Sequence, residues 1–472
     1  MEREQRYKST SSVVFGCISG LLLFFFSYEP YGFMPKVLAA LSSVLIFILI
    51  WDLVLNRNIK SLYLFPFITL NWIYFQSPFL LKEKTYYYNR TIREEYINEI
   101  AVYCCISIYL IYIAYNFFLN RRFGTLTSLK LRFKDDVLIK VIYVFIILGV
   151  MYRVGTVLTP QIISSLSKLI QLLPYSSTIV FGLYILGNFR RQEKWYFSVF
   201  DAIVMLFLLS EFLLRLSTTL FSEVAILFSG PLIVYFSEKR KVPIIPIIVS
   251  LIILIPLYQT RKYFRLHSTE VQEFSGDEIA KGRLILENAY SLDEQQDYQD
   301  LVKGGDNINR FENLSFISHV VLMHKRGIKP FLHGETFYWL PLVPIPRIVF
   351  PSKPKNVMST EVATEYGLRG EVSIASINFP MLVEAYINFG FKGMALMSFL
   401  FGLAYKWFAT KFGFGIGDLN LIIIINSIKQ FTHAEGNITL VFGALIQVFL
   451  FWTVIVWFLK LNENNKKLFD VE

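Results

Sequence analysis

The sequence predicts an all-α, polytopic integral membrane protein with about twelve transmembrane helices and one large outer-face loop. Three observations carry that expectation. Of 472 residues, 54% are hydrophobic and 17% charged, against about a quarter charged in soluble domains. Apolar runs of the roughly 20 residues that a bilayer requires recur through the first half and again near the end. Lys and Arg clusters fall on every second connection, the pattern of cytoplasmic loops. The net charge of +10 therefore belongs to membrane topology and not to a nucleic-acid partner.

In chain order, hydropathy places the spans at 11–28, 35–55, 62–81, 98–119, 137–157, 173–189, 197–215, 217–236, 242–259, 385–408, 417–433 and 437–459. The first run follows a basic stretch but lacks an A-x-A-like cleavage site and leads directly into the next, so a retained helix is expected. Residues 159–172 (TPQIISSLSKLIQL) are amphipathic and suit the membrane interface. Cys104 and Cys105 are adjacent in one span, and Cys17 lies in another; no disulfide framework follows.

Basic clusters at the N-terminus (Arg3, Arg6, Lys8), after the second span (Arg57, Lys60), after the fourth (Arg121, Arg122, Lys130, Arg132, Lys134), after the sixth (Arg190, Arg191, Lys194) and after the eighth (Lys239, Arg240, Lys241) set the orientation. Further clusters follow the tenth span (Lys406, Lys411) and the twelfth (Lys460, Lys466, Lys467). Both termini are then cytoplasmic. Three segments result: an N-terminal bundle (1–259), a hydrophilic outer-face loop (260–384) of about 120 residues, a size that usually carries function, and a C-terminal part (385–472) with three spans and a short tail.

Within the membrane, Glu211 and Arg215 lie four residues apart on one helix face. Either they form a self-neutralising pair that reaches to the interface, or Arg215 holds an anionic headgroup at the outer membrane surface, with Glu223 of the next span as a second partner. Where the ninth span exits, TRKYFRLHS carries Arg261, Lys262 and Arg265, either a solvated helix end or a phosphate seat suited to arginine's planar fork. In the loop, NINRFENLSFISHVVLMHKRG reads as a helix with Arg310 near its start. FLHGETFYWLPLVPIPRIVFPSKPK is too proline-broken to span, yet apolar, and is expected at the interface with Arg347 and Lys353 near the headgroups.

The stretch GLRGEVSIASINFPMLVEAYINFGFKG carries Arg369 and Glu371 on a glycine-flanked turn and Glu384 where the chain re-enters the bilayer. KQFTHAEGNIT gathers Lys429, His433 and Glu435 between the last two spans, either a polar turn or a histidine–carboxylate general base. No GxxxxGK[ST], HExxH or GxSxG occurs, against a nucleotide-driven pump, a zinc protease or a serine hydrolase of the usual types. The acidic run SLDEQQDYQD reads as a solvated loop, and neither metal nor cofactor is expected.

From R-F-E-N-L through HGETFYWLPLVPIPRIVFPSKP to RGEVSIASINFPMLVEAYINFGFKGMALMSFLFG, over roughly 305–405, the chain resembles the Wzy-type O-antigen and capsule polymerases. Three features carry the resemblance: the G-E-T-F turn with its following I-P-R…P-S-K-P, a Gly/Ser turn, and E-A-Y-I-N-F-G-F-K-G leading into a helix. It implies a GT-C-like glycosyltransferase of the bacterial inner membrane. Such an enzyme moves a growing glycan from polyprenyl diphosphate to the nonreducing end of a new lipid-linked repeat unit. Lipid-linked oligosaccharides as donor and acceptor, the bilayer and a chain-length regulator protein are the implied partners.

That chemistry needs fixed cations for the diphosphate leaving group and a base for the acceptor hydroxyl. Carried over, Arg310, Arg347, Lys353 and Arg369 are loop candidates for substrate binding; Arg215, Arg261 and Arg265 are membrane-side ones. Glu371, Glu384 and His433 are candidate bases. Relatives are expected to have an arginine before the last helix, where this chain has His433-Ala434. Two other readings are an O-antigen ligase-type transferase and a flippase or transporter of lipid-linked glycans; the latter is expected to have short outer loops and charges along a central cavity.

Overall fold

The structure, a computed structural model, describes residues 2–56, 61–81, 86–87, 90–91, 94–117, 131–159, 173–190, 198–217, 221–239, 244–245, 247–250, 252, 313–338, 340–343, 345, 350, 362–367, 379–412, 417–432, 436–461 and 469–471. Among them it is almost entirely helical. The chain packs as two units. The first comprises Met1–Leu126, Asp306–Phe414 and Gln430–Phe449; the second comprises Thr127–Gly305, Gly415–Lys429 and Leu450–Glu472. The segments 1–259, 260–384 and 385–472 divide the chain by expected membrane placement, and the packing units cut across them.

Twelve helices of 13 residues or more organise the described chain: α1 (Glu2–Phe26), α2 (Phe33–Val54), α3 (Ser61–Phe75), α4 (Ile97–Phe117), α5 (Asp135–Leu158), α6 (Ser176–Arg190), α7 (Val199–Ser217), α8 (Phe221–Lys239), α9 (Asn313–Lys325), α10 (Met381–Phe412), α11 (Asp418–Thr432) and α12 (Ile438–Leu461). Eleven coincide with sequence-predicted spans, and α9 with the predicted loop helix. The predicted span 242–259 falls largely outside the described residues.

By length and apolar composition, five of the described helices can cross a membrane: Phe33–Val54, Ile97–Asn116, Asp135–Leu158, Met381–Lys411 and Ile438–Trp457. These five are counted among the described residues, and some of the other helices are short there. α3, α6 and α11 have 15 residues each, about 22 Å of rise against a hydrocarbon core of about 30 Å. The predicted 62–81 run breaks after Phe75 into a 3-10 turn, Ser77–Leu80, with Pro78 at its start. The 173–189 run likewise opens as a 3-10 turn, Leu173–Tyr175, before α6 begins.

In the first unit, missing side chains bring the helices close. Gly402 of α10 faces the Ile111 carbonyl and Ala114 of α4, leaving no room for a Cβ. Trp72 of α3 donates its indole N–H to the Ala39 carbonyl of α2 at 2.9 Å, giving a polar atom in an apolar layer its partner. The base of α9 is tied to α4 and the turn before it through Lys325–Glu99 (2.7 Å) and Arg326–Glu95 (2.9 Å).

α10 is not continuous. Phe389 (φ −139°) and Gly390 (φ 64°) leave the helical region, and glycine occupies the position whose left-handed φ other residues resist. The carbonyls of Ile387 and Asn388 instead accept the N–H groups of Leu332 (3.1 Å) and His333 (3.0 Å). A kink whose backbone groups find new partners in neighbouring protein is the form an apolar environment tolerates.

The second unit has tight packing of its own, with Gly230 of α8 against the Thr178 backbone of α6. At one end, Leu131–Phe133 (β3) pairs antiparallel with Phe469–Val471 (β4), the described chain's other pair being Tyr86–Tyr87 (β1) with Arg90–Thr91 (β2). Asp418, at the start of α11, accepts from the Phe133 N–H (2.7 Å) and is clasped by the Arg190 guanidinium. That ion pair holds the strand and two helix ends together.

Candidate functional site

Two polar clusters stand out from the apolar helices, one in each unit. In the second unit, charged side chains gather at one end of their helices: Arg153 late in α5, Glu211 and Arg215 late in α7, Glu223 early in α8 and Lys429 late in α11. Antiparallel neighbours put those termini at one level.

Arg215 lies at the centre, 2% exposed. Its Nη1 donates to the Glu223 carbonyl (3.0 Å) and to Glu223 Oε2 (3.2 Å); its Nη2 donates to the Pro174 carbonyl (2.8 Å) and to Ser177 Oγ (3.0 Å). Glu211 Oε2 approaches its Nε at 3.6 Å, the i,i+4 pair that the sequence predicts.

The carboxylates reach outward from there. Glu211 receives both arms of Arg153, at 2.8 and 2.9 Å, the two-pronged geometry that strengthens guanidinium–carboxylate pairs. Glu223 Oε1 receives Lys429 Nζ at 2.6 Å. Among the described residues, three cations thus meet two carboxylates, an excess of one positive charge. Buried charges at membrane depth persist when paired, and here the pairing runs through all five. Arg215 is spent on protein acceptors and holds the carboxylates in place. The excess charge surfaces at the side chains of Arg153 and Lys429, 28% and 26% exposed.

The second cluster, in the first unit, surrounds the α10 kink. Asn388, fully buried, accepts the Gly334 N–H at its Oδ1 (2.9 Å). Its Nδ2 donates to Thr336 Oγ1 (2.7 Å) and to the Glu384 carbonyl (2.8 Å). Glu384, 0% exposed, accepts the Ile438 N–H at Oε2 (2.5 Å), so a carboxylate sits on the positive end of α12. Thr439 Oγ1 closes the ring by donating to the Thr336 carbonyl at 3.3 Å. One amide and one carboxylate therefore join the G-E-T-F turn, the E-A-Y-I-N-F-G run and the start of the last helix.

Close by, α9 anchors Tyr366, which precedes the GLRGE stretch. The His319 ring N–H donates to the Tyr366 carbonyl (2.8 Å), and the Tyr366 hydroxyl donates to His324 Nε2 (2.8 Å). Phe379, which follows that stretch, packs on Phe316 of the same helix with ring centroids 4.8 Å apart.

His324 is stacked on Phe331, and its burial holds its pKa below the usual histidine value. Its native form is therefore neutral where an unfolded chain's histidine takes a proton. Stability is expected to fall as pH drops from about 6.5 towards the lower native pKa, with no further loss below it. Melting temperature against pH in detergent checks this: His324→Phe is expected to flatten that part of the profile, and an unchanged slope contradicts it.

Of the sequence-predicted site residues, Arg215 and Glu384 are described. Arg261, Arg265, Arg310, Arg347, Lys353, Arg369, Glu371 and His433 lie outside the described residues. Glu384's observed bond is to a backbone N–H, the arrangement of a positioning group. Sequence reasoning missed Arg153 and Asn388. Arg153 is the lone charge in the apolar run 141–159, and an intramembrane charge is itself a pointer to a site; Asn388 is a lone amide amid apolar residues and carries no such flag. No group of residues among those described could hold a metal ion.

A scan against protein-family models gives no match, and neither the curated proteins nor the solved structures yield a similar chain.

Proposed function

We propose that this chain polymerises lipid-linked oligosaccharide repeat units. It would transfer a growing glycan from polyprenyl diphosphate to the nonreducing end of the next lipid-linked unit. In this reading it is a GT-C-like enzyme of the bacterial inner membrane, with about twelve spans, both termini cytoplasmic and the long loop on the outer face.

The observation that carries the reading is the Asn388 clasp. Two of the stretches that resemble the polymerases, G-E-T-F and E-A-Y-I-N-F-G-F-K-G, are far apart in sequence and share one buried amide. Residues chosen only for an oily bundle have no need of that connection.

The chemistry follows from the substrates. The acceptor hydroxyl attacks the donor's anomeric carbon, the bond to the diphosphate breaks, and a base takes the hydroxyl proton. Negative charge grows on the departing diphosphate and calls for fixed cations. Arg153 and Lys429 join Arg261, Arg265, Arg310, Arg347, Lys353 and Arg369 as candidates for that task, with Arg215 holding their carboxylate partners. Glu384's engagement with α12 leaves Glu371 and His433 as the better bases.

Deleting the gene and sizing the surface glycan tests the proposal. Loss of long chains, with single repeats still attached to their anchor, is the expected result. Complete loss of attached glycan instead indicates a ligase or flippase. Within the site, Arg369→Ala is expected to abolish polymerisation while the protein still reaches the membrane, as read by immunoblot and glycan gels; wild-type chain lengths in that variant contradict the assignment.

A further inference from the structure

We infer that the described residues of 336–345 (336–338, 340–343 and 345) belong to a re-entrant turn that lies below the headgroups, with their apolar side chains against the acyl chains of the bilayer. Four observations place it. α12 starts at Ile438, straight after the polar Glu435–Gly436–Asn437, and its apolar run from there is long enough for the roughly 20 residues that cross a hydrocarbon core. Ile438 then marks a boundary, and distance along α12 measures depth.

Contacts with α12 descend in order. Thr336 meets Thr439 in the first turn. Val343 packs directly on Gly443, where a Cβ would collide with its side chain, about 8 Å below the boundary at 1.5 Å per residue. Gln447, about 14 Å below on the same scale, donates its Nε2 to the Val343 carbonyl at 3.2 Å. Helical side chains tilt towards the N-terminus, so this amide reaches up to meet the turn. A glutamine inside a membrane helix needs a polar partner, and a non-helical carbonyl at that depth needs a donor. Each supplies the other.

The segment's own backbone is suited to such a place. Its N–H groups at Phe337, Tyr338, Val343 and Ile345 donate to nearby carbonyls, while Pro341 has none to satisfy. No charged residue occurs between Glu335 and Arg347. Yet Tyr338 is 74% exposed, and neither short 3-10 turn in the segment buries a side chain. At the depth that α12 measures, the medium covering them is lipid. Proline-broken backbone is tolerated there because α12 and the α10 kink supply its partners.

This placement goes beyond an interfacial one and is independent of whether the chain transfers glycans. Site-directed spin labels test it in the full chain, with Cys17 and Cys105 replaced by Ser and Cys104 by Ala, in phosphatidylethanolamine–phosphatidylglycerol liposomes. Labels at Tyr338→Cys and Leu342→Cys are expected to be relaxed by oxygen and shielded from a nickel chelate, with the reverse at exposed His333→Cys. Two labelled positions guard against one failing to fold. Nickel access at 338 and 342 equal to that at 333 overturns the inference, and so does shielding from both reagents, which would mean that protein covers the segment.

Discussion

Glu211→Gln is expected to lower stability by about 3–5 kcal/mol, the range for breaking a buried ion pair on one side. The substitution keeps the side chain's shape and removes only its charge. Arg153 loses its two-pronged partner, and Arg215 loses the carboxylate beside its Nε. Among the described residues, three cations then share the one carboxylate of Glu223. If charge parity is the cause, adding Arg153→Met to Glu211→Gln returns the excess to one and recovers most of the loss. Thermal or SDS-driven unfolding in micelles measures both, and the double-mutant cycle isolates the coupling. Equal stability of Glu211→Gln and the parent, or additive losses in the double variant, contradict the network as drawn.

Asn388→Ala is expected to be nearly as damaging, by a different route. It strands the Gly334 N–H and removes the donors to Thr336 and to the Glu384 carbonyl, at about 1–3 kcal/mol for each buried group left unsatisfied. Because these bonds hold the loop turn against the α10 kink, the proposed function adds a second consequence. Surface glycan chains should collapse towards single repeats even in cells grown cool enough to keep the variant folded. Full-length glycan from a measurably destabilised Asn388→Ala protein would show that the clasp serves stability alone.

The helices were legible because apolar periodicity needs no long-range information: a run of 20 apolar residues is a span wherever the rest of the chain goes. Their lengths were less so. Hydropathy sees 173–189 as one run, whereas Pro174 and the 3-10 turn around it delay α6 to Ser176. The i,i+4 pair of Glu211 and Arg215 was readable from one helix. Glu223 was legible too, as a second partner in the next span; the extension to Arg153 and Lys429 was not readable, since those partners come from two further helices. The clasp was less legible still. Glu384 looks like a candidate base in the sequence, and only the fold brings Ile438 N–H to its carboxylate. In sequence, 385–408 reads as one continuous span; the break at Phe389 and Gly390, which frees two carbonyls for Leu332 and His333, appears only in the fold.

The most direct test of the polymerase proposal is reconstitution of the purified chain in liposomes with polyprenyl-diphosphate-linked repeat units as the only substrate. The expected product is a ladder of carrier-linked glycans, each added repeat matched by one released polyprenyl diphosphate and the ladder absent with Arg369→Ala. Substrate that stays at one repeat, or crosses the bilayer without forming a glycosidic bond, contradicts the account.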